Sequence, residues 1–197
     1  MMNRLFVIAA TLVTLVIVGC NSMAKTTGKK PVTEEMASTE KPVVKTPSYT
    51  EENGMLVGKI DRQQLEEGDY KKWFEPRYDA YKVDNEAVAT IAELLDGVEV
   101  TIFMGTWCPD SHREVPNFYK VIDATEAAPS VDLFAVTHAK TTPAGFEDGK
   151  NIQRVPTFIF TKDGKELGRI VEYPIESLEK DMIKILQGDD YKHAYAE

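Results

Sequence analysis

The sequence predicts an α/β domain: a small mixed sheet with helices on both faces. Three observations carry this expectation. Two β-branched and aromatic runs, 98–104 (VEVTIFM) and 131–137 (VDLFAVT), flank a stretch of helical period. Two further runs, 155–161 (VPTFIFT) and 166–171 (ELGRIV), flank an Asp-Gly turn. An amphipathic segment then closes the apolar part of the chain.

Taken in order, the elements begin after a long polar lead. The chain has 197 residues, 43% of them hydrophobic, which suits one domain plus segments outside its core. Residues 1–4 are a short basic start, 5–18 are apolar, and Gly19-Cys20 ends the run. That run is short for a bilayer span but fits the apolar part of a secretory signal. Its end (IVGC) resembles the bacterial lipoprotein signal, in which the cysteine is lipidated after cleavage. This implies a signal peptide at 1–19 and a lipid anchor on Cys20. Residues 20–55 are rich in Ser, Thr, Lys, Glu and Pro and read as a flexible tether. The folded domain is placed at 56–188, with a polar tail at 189–197.

Within the domain, Tyr70, Trp73, Phe74, Tyr78 and Tyr81 recur at helical spacing and predict a core-facing helical region, broken near Pro76. Val88, Ile91, Leu94 and Leu95 predict a second short helix, ended by Asp96-Gly97. The strand at 98–104 runs into a Trp-Cys-Pro turn, after which Val115, Phe118, Tyr119 and Ile122 mark one face of a helix. The strand at 131–137 completes a βαβ unit. Residues 138–154 are polar with Pro143, Gly145 and Gly149, and read as a loop with at most a short helix. An antiparallel hairpin turns at Asp163-Gly164, and Ile175, Leu178, Met182 and Ile185 or Leu186 define the last helix.

Charge narrows the partners. The formal net charge is −9, with no basic run interleaved with aromatics, so nucleic acid is not expected to bind. His112, His138 and His193 lack metal-ligand spacing with the cysteine, and no Gly-rich phosphate loop is present. No metal or cofactor is therefore expected. Of the two cysteines, Cys20 is assigned to lipid, which leaves Cys108 as the one thiol of the mature chain.

The chemistry concentrates in FMGTWCPDSHREVP. A cysteine at a helix start meets unsatisfied N–H groups and the positive end of the helix dipole, which favours thiolate. Pro109 is tolerated there because its missing N–H had no helical acceptor. Asp110 should oppose the thiolate, while His112 and Arg113 should favour it. Ser111 with Glu114 matches a capping box, so Ser111 either caps the helix or donates to the Cys108 sulfur, or does both.

Trp107-Cys108-Pro109-Asp110-Ser111 after a buried strand, Pro116 in the following helix, and Val155-Pro156-Thr157 at the hairpin start together resemble the thioredoxin superfamily. The resemblance covers roughly 87–187. It implies a thioredoxin-like fold with extra N-terminal helices and a catalytic Cys108 supported by Trp107, Pro109, Asp110, Ser111 and His112. It also implies a cis-proline segment, Val155, Pro156 and Thr157, that pairs with an extended substrate. Two departures accompany it: Ser111 stands where the resolving cysteine would be, and Ile102 stands where thioredoxins commonly bury an acid.

The resulting expectation is an envelope protein, lipid-anchored, periplasm-facing and preferentially at the outer membrane, that exchanges disulfides through one thiol. Its partners would be thiol or disulfide proteins or small thiols. A binding module that has lost the chemistry is the second class. A thiol peroxidase is the third, and Gly105 stands where peroxiredoxins use a threonine.

Overall fold

A computed structural model of the chain describes residues 48–196. The stretch read as a signal peptide, the lipid anchor expected at Cys20 and most of the stretch read as a tether lie outside the described residues. Among the described residues no helix is long and apolar enough to cross a membrane.

Six strands form one mixed sheet: β1 (Tyr49–Glu52), β2 (Met55–Ile60), β3 (Val98–Met104), β4 (Ser130–Ala135), β5 (Thr157–Lys162) and β6 (Lys165–Val171), in spatial order β1-β2-β4-β3-β5-β6. Only β3 and β4 pair in parallel, as a βαβ unit requires; every other neighbour is antiparallel. The β5–β6 hairpin turns at Asp163 (φ 52) and Gly164 (φ 73), both left-handed as a two-residue hairpin turn demands.

Five helices accompany the sheet: α1 (Arg62–Leu65), α2 (Lys71–Ala80), α3 (Asn85–Leu94), α4 (Pro109–Ala124) and α5 (Leu178–Gln187). The mixed α/β architecture is the expected one, but the cover is distributed differently from helices on both faces. Val98, Val100, Ile102 and Met104 of β3 point to one side, where they join Phe74 of α2, Ile91 of α3, Phe118 of α4 and Met182 of α5 in the main core. Alternate residues point to the other side, where Phe103, Phe134, Val136, Val155 and Ile159 form a smaller cluster with Cys108. Phe146 and Ile152 of the irregular segment 138–154 cover that cluster. Glu99, Thr101 and Thr161 make the far end of this second face polar or partly exposed, so only the end beside Cys108 needs an apolar lid.

Three elements differ from the sequence expectation. The hairpin β1–β2 begins inside the stretch read as tether, and it extends the sheet by pairing Gly58, Lys59 and Ile60 with β4. Helix α2 runs through Pro76 instead of breaking there. Proline in a helix interior costs about 3 kcal/mol, whereas burying a side chain such as Phe74 alone returns about 1.5–3 kcal/mol, and Trp73 and Tyr78 also pack on the core. Finally, residues beyond α5 fold back. Tyr191 packs on the core and donates its hydroxyl to buried Asp181 at 2.8 Å, so the polar tail is a docked segment over its described length.

Candidate functional site

Cys108 is set by the junction of β3 and α4. The strand ends at Met104, and Gly105 to Cys108 make one turn closed by the Cys108 N–H donating to the Gly105 carbonyl at 2.9 Å. Cys108 is the N-cap of α4, extended at φ −93 and ψ 122, and Pro109 opens the helix. Its own carbonyl accepts the first helical bond from His112 N–H at 3.0 Å. Pro116 sits inside α4, which continues to Ala124.

The thiol is 6% exposed, and its S–H donates to the Val155 carbonyl at 3.2 Å. Val155-Pro156 is a cis peptide, as the sequence comparison with the superfamily implied. Thr157 starts β5 and gives its hydroxyl to the Arg154 carbonyl at 2.7 Å, while the Pro156 carbonyl accepts Glu172 N–H at 2.8 Å. The segment carrying these three residues is thus held from both flanks and laid against the sulfur. Among the described residues Cys108 is the free cysteine.

Trp107 covers one side of the turn. Its Nε1–H donates to the Val136 carbonyl at 2.9 Å, and His138 lies over its ring with centroids 4.0 Å apart. The indole lies so close to Gly105 that a Cβ there would meet Trp107 Cε2 at 2.6 Å. This close approach is the structural reason for glycine at position 105.

Ser111 takes neither of its two expected roles. The N-cap is Cys108, so Ser111 falls at the third helical position, fully buried. Its Oγ accepts the Gly105 N–H at 3.1 Å. The hydroxyl ties the helix back to the end of β3, and no hydrogen bond joins it to the sulfur.

The charged neighbours also pair among themselves. Asp110 is bound by Arg113 at 2.8 Å, and Arg113 reaches Glu114 at 2.6 Å. Burial pushes the Glu114 carboxyl above its ordinary range, against the pull of hydrogen bonds from Arg113 and Asn117. His112 stacks on Trp73 (centroids 4.2 Å, 12° between planes), and its Nε2 meets the Thr106 carbonyl at 2.7 Å. It braces the turn from the α2 side. Thr106 is held from a third direction, because its hydroxyl accepts Leu56 N–H at 3.1 Å. Elements in front of β3 therefore support the Cys108 turn directly. Local pattern could not have revealed this, since both contacts are long-range.

A groove of about 510 Å³ opens at the sulfur, walled by Trp107, Cys108, Asp110, Lys140, Arg154 and Glu172. Sequence reasoning missed Lys140, Arg154 and Glu172. Arg154 directly precedes the Val155-Pro156 pair, and that adjacency was the available signal. Ile102, at the position noted for its missing acid, is fully buried in the main core.

Chemically, the arrangement presents one sulfur at a helix N-terminus, a backbone carbonyl in hydrogen-bond contact with it, and an open groove beside them. The family model described as thioredoxin matches residues 61–186, well over half of the chain. A thioredoxin-like protein of Acanthamoeba polyphaga mimivirus is 26% identical over 103 residues, covering 52% of this chain and 73% of that protein. No solved structure matches the chain. The matched span takes in the cysteine turn, its helix and the cis-proline hairpin together, and on that ground the chain belongs to the thioredoxin family.

Proposed function

We propose that the protein exchanges disulfides through Cys108 alone and depends on an outside thiol to complete each exchange. The observation that carries this reading is the placement of the Cys108 sulfur at the N-cap of α4, 3.2 Å from the carbonyl that precedes Pro156, with a hydroxyl at Ser111 where a second thiol would stand. In the first step Cys108 S–H and a disulfide RS–SR′ give Cys108–S–SR and R′S–H. The thiolate attacks one sulfur, the other leaves with the electron pair, and it takes up the proton. In the second step an external thiol R″S–H attacks the mixed disulfide, restoring Cys108 S–H and releasing RS–SR″. Ser111 cannot perform that step, because an alcohol is no substitute for a thiolate nucleophile at neutral pH.

Trp107 shields the sulfur, Pro109 and Ser111 fix the turn, Asp110 walls the groove, and His112 braces the turn from behind. Val155, Pro156 and Thr157 are the segment on which an extended client would lie. Clients are thiol or disulfide proteins or small thiols. We further propose that the chain is tethered in the bacterial cell envelope, facing the periplasm and preferentially at the outer membrane, through a lipid on Cys20. The apolar run at 5–18 followed by Gly19-Cys20 supports this.

A second reading, a non-catalytic binding module, draws support from the 6% exposure of Cys108. One experiment separates the two. The full chain carrying Cys20→Ser is incubated with a peptide disulfide and followed by intact mass. Exchange gives a covalent adduct that Cys108→Ser abolishes. Absence of adduct under conditions where a simple thiol reacts removes the exchange reading.

A further inference from the structure

The charges around the groove are unevenly satisfied. Of its two acids, Asp110 is held by Arg113 at 2.8 Å, while Glu172 is held by Arg154 at 3.2 Å and also accepts the Tyr195 hydroxyl. Lys140 lines the same groove with its Nζ 5.7 Å from the Trp107 ring centroid, and it makes no ion pair among the described residues. Arg154 gives one nitrogen, Nη1, to Glu172, and its guanidinium carbon lies over the Tyr195 ring, 4.0 Å from the centroid, with its side chain 47% exposed. Both cations line the groove that opens at the thiol. Lys140 stands beside Trp107, and Arg154 precedes the Val155 carbonyl that the sulfur touches. The lining is formally neutral, two acids against two cations, but both acids are already paired, and Lys140 is the lining charge left without an ion-pair partner among the described residues.

We propose that the Cys108 groove selects thiols and disulfides bearing a carboxylate beside the sulfur, received by Lys140 and Arg154. This inference rests on Cys108 being the exchanging thiol. Tyr195 is a positioning residue: its ring and hydroxyl hold Arg154 and Glu172 at the groove wall, so the docked tail takes part in selectivity. The same chemistry is offered by a small acidic thiol compound and by a protein segment with Asp or Glu flanking its cysteine.

The test compares the full chain carrying Cys20→Ser against three reagents: 5,5′-dithiobis(2-nitrobenzoate), neutral 4,4′-dithiodipyridine and cationic cystamine. Each rate is normalised to that of 2-mercaptoethanol. The anionic reagent is expected to be favoured over the cationic one by about two- to fivefold per cation, and high salt should weaken the preference. Lys140→Gln and Arg154→Gln should each lower the ratio of the anionic to the cationic rate. Tyr195→Ala should behave like Arg154→Gln, and Tyr195→Phe, which keeps the ring, should retain most of the preference. A parallel pair of peptide disulfides, with Glu or Lys flanking the cysteine, separates the sources. Preference in both series assigns selectivity to charge alone, and preference confined to peptides assigns it to a protein client. Normal reaction with the neutral reagent but charge-blind or cation-favouring rates overturns this inference and leaves the exchange reading standing. Failure to react with all three overturns both.

Discussion

Gly105→Ala is the substitution whose cost follows most directly from the geometry. An added Cβ would lie 2.6 Å from Trp107 Cε2, 2.8 Å from Nε1 and 3.0 Å from Cζ2. The indole has little freedom to yield, being fixed by the Nε1–H bond to Val136 and by His138 over its ring. Displacing it forfeits a hydrogen bond of about 1 kcal/mol and forces repacking at about 1–3 kcal/mol. For a domain of this size, a loss of about 2–4 kcal/mol lowers Tm by roughly 4–16 °C. Thermal unfolding by circular dichroism reads this directly. Iodoacetamide alkylation of Cys108 should accelerate as well, because the displaced ring uncovers a sulfur that is only 6% exposed. The cost should largely vanish in a Trp107→Ala background, where the clash has no partner. An unchanged Tm, or the same loss in that background, would refute the packing argument.

Two further substitutions probe the supports of the turn. Ser111→Ala leaves the buried Gly105 N–H without its acceptor and should cost about 1–3 kcal/mol in urea unfolding. The rate at which Cys108 forms adducts should hold; a slower rate at unchanged stability would move Ser111 from scaffold to chemistry. Glu114→Gln tests the buried carboxyl, which burial raises above its ordinary range. The folded state therefore binds the proton more tightly than the unfolded chain. Its stabilising effect is full at acid pH and is lost as pH rises through the raised value. The glutamine variant should gain stability relative to wild type as pH rises from about 4 to 7, whereas a constant offset contradicts the assignment.

The parts of the fold written in local pattern were legible before any coordinates. The 98–104 run is β3 with the same bounds, Asp163-Gly164 turns the hairpin, and the stripe at Val115, Phe118, Tyr119 and Ile122 is buried in α4. What escaped depends on contacts distant in sequence. Strand β2 (MLVGKI) carries Gly58 and Lys59 in its interior and becomes a strand by pairing with β4, some seventy-five residues away. The covering of the second sheet face by Phe146 and Ile152 comes from a segment with no periodicity. At the site, the Cys108 turn and the Val155-Pro156-Thr157 segment were readable because each is a short motif. The Trp73–His112 stack, the Leu56–Thr106 bond and the Tyr195 clamp on Arg154 were not, because each joins elements whose proximity only the tertiary fold creates. Ser111 shows the limit from the other side: a correct motif match misled because the cap sits three residues earlier, at Cys108.

The lifetime of the Cys108 mixed disulfide bears most directly on whether one thiol starts an exchange that it cannot finish. The chain carrying Cys20→Ser is loaded with a peptide disulfide, freed of small thiols and followed by intact mass. The adduct should persist until a thiol is added and then clear. The same chain with Ser111→Cys should expel the peptide unaided, closing an internal disulfide in its place. Unaided release from the Ser111 chain at the rate of the Ser111→Cys variant would contradict the single-thiol mechanism.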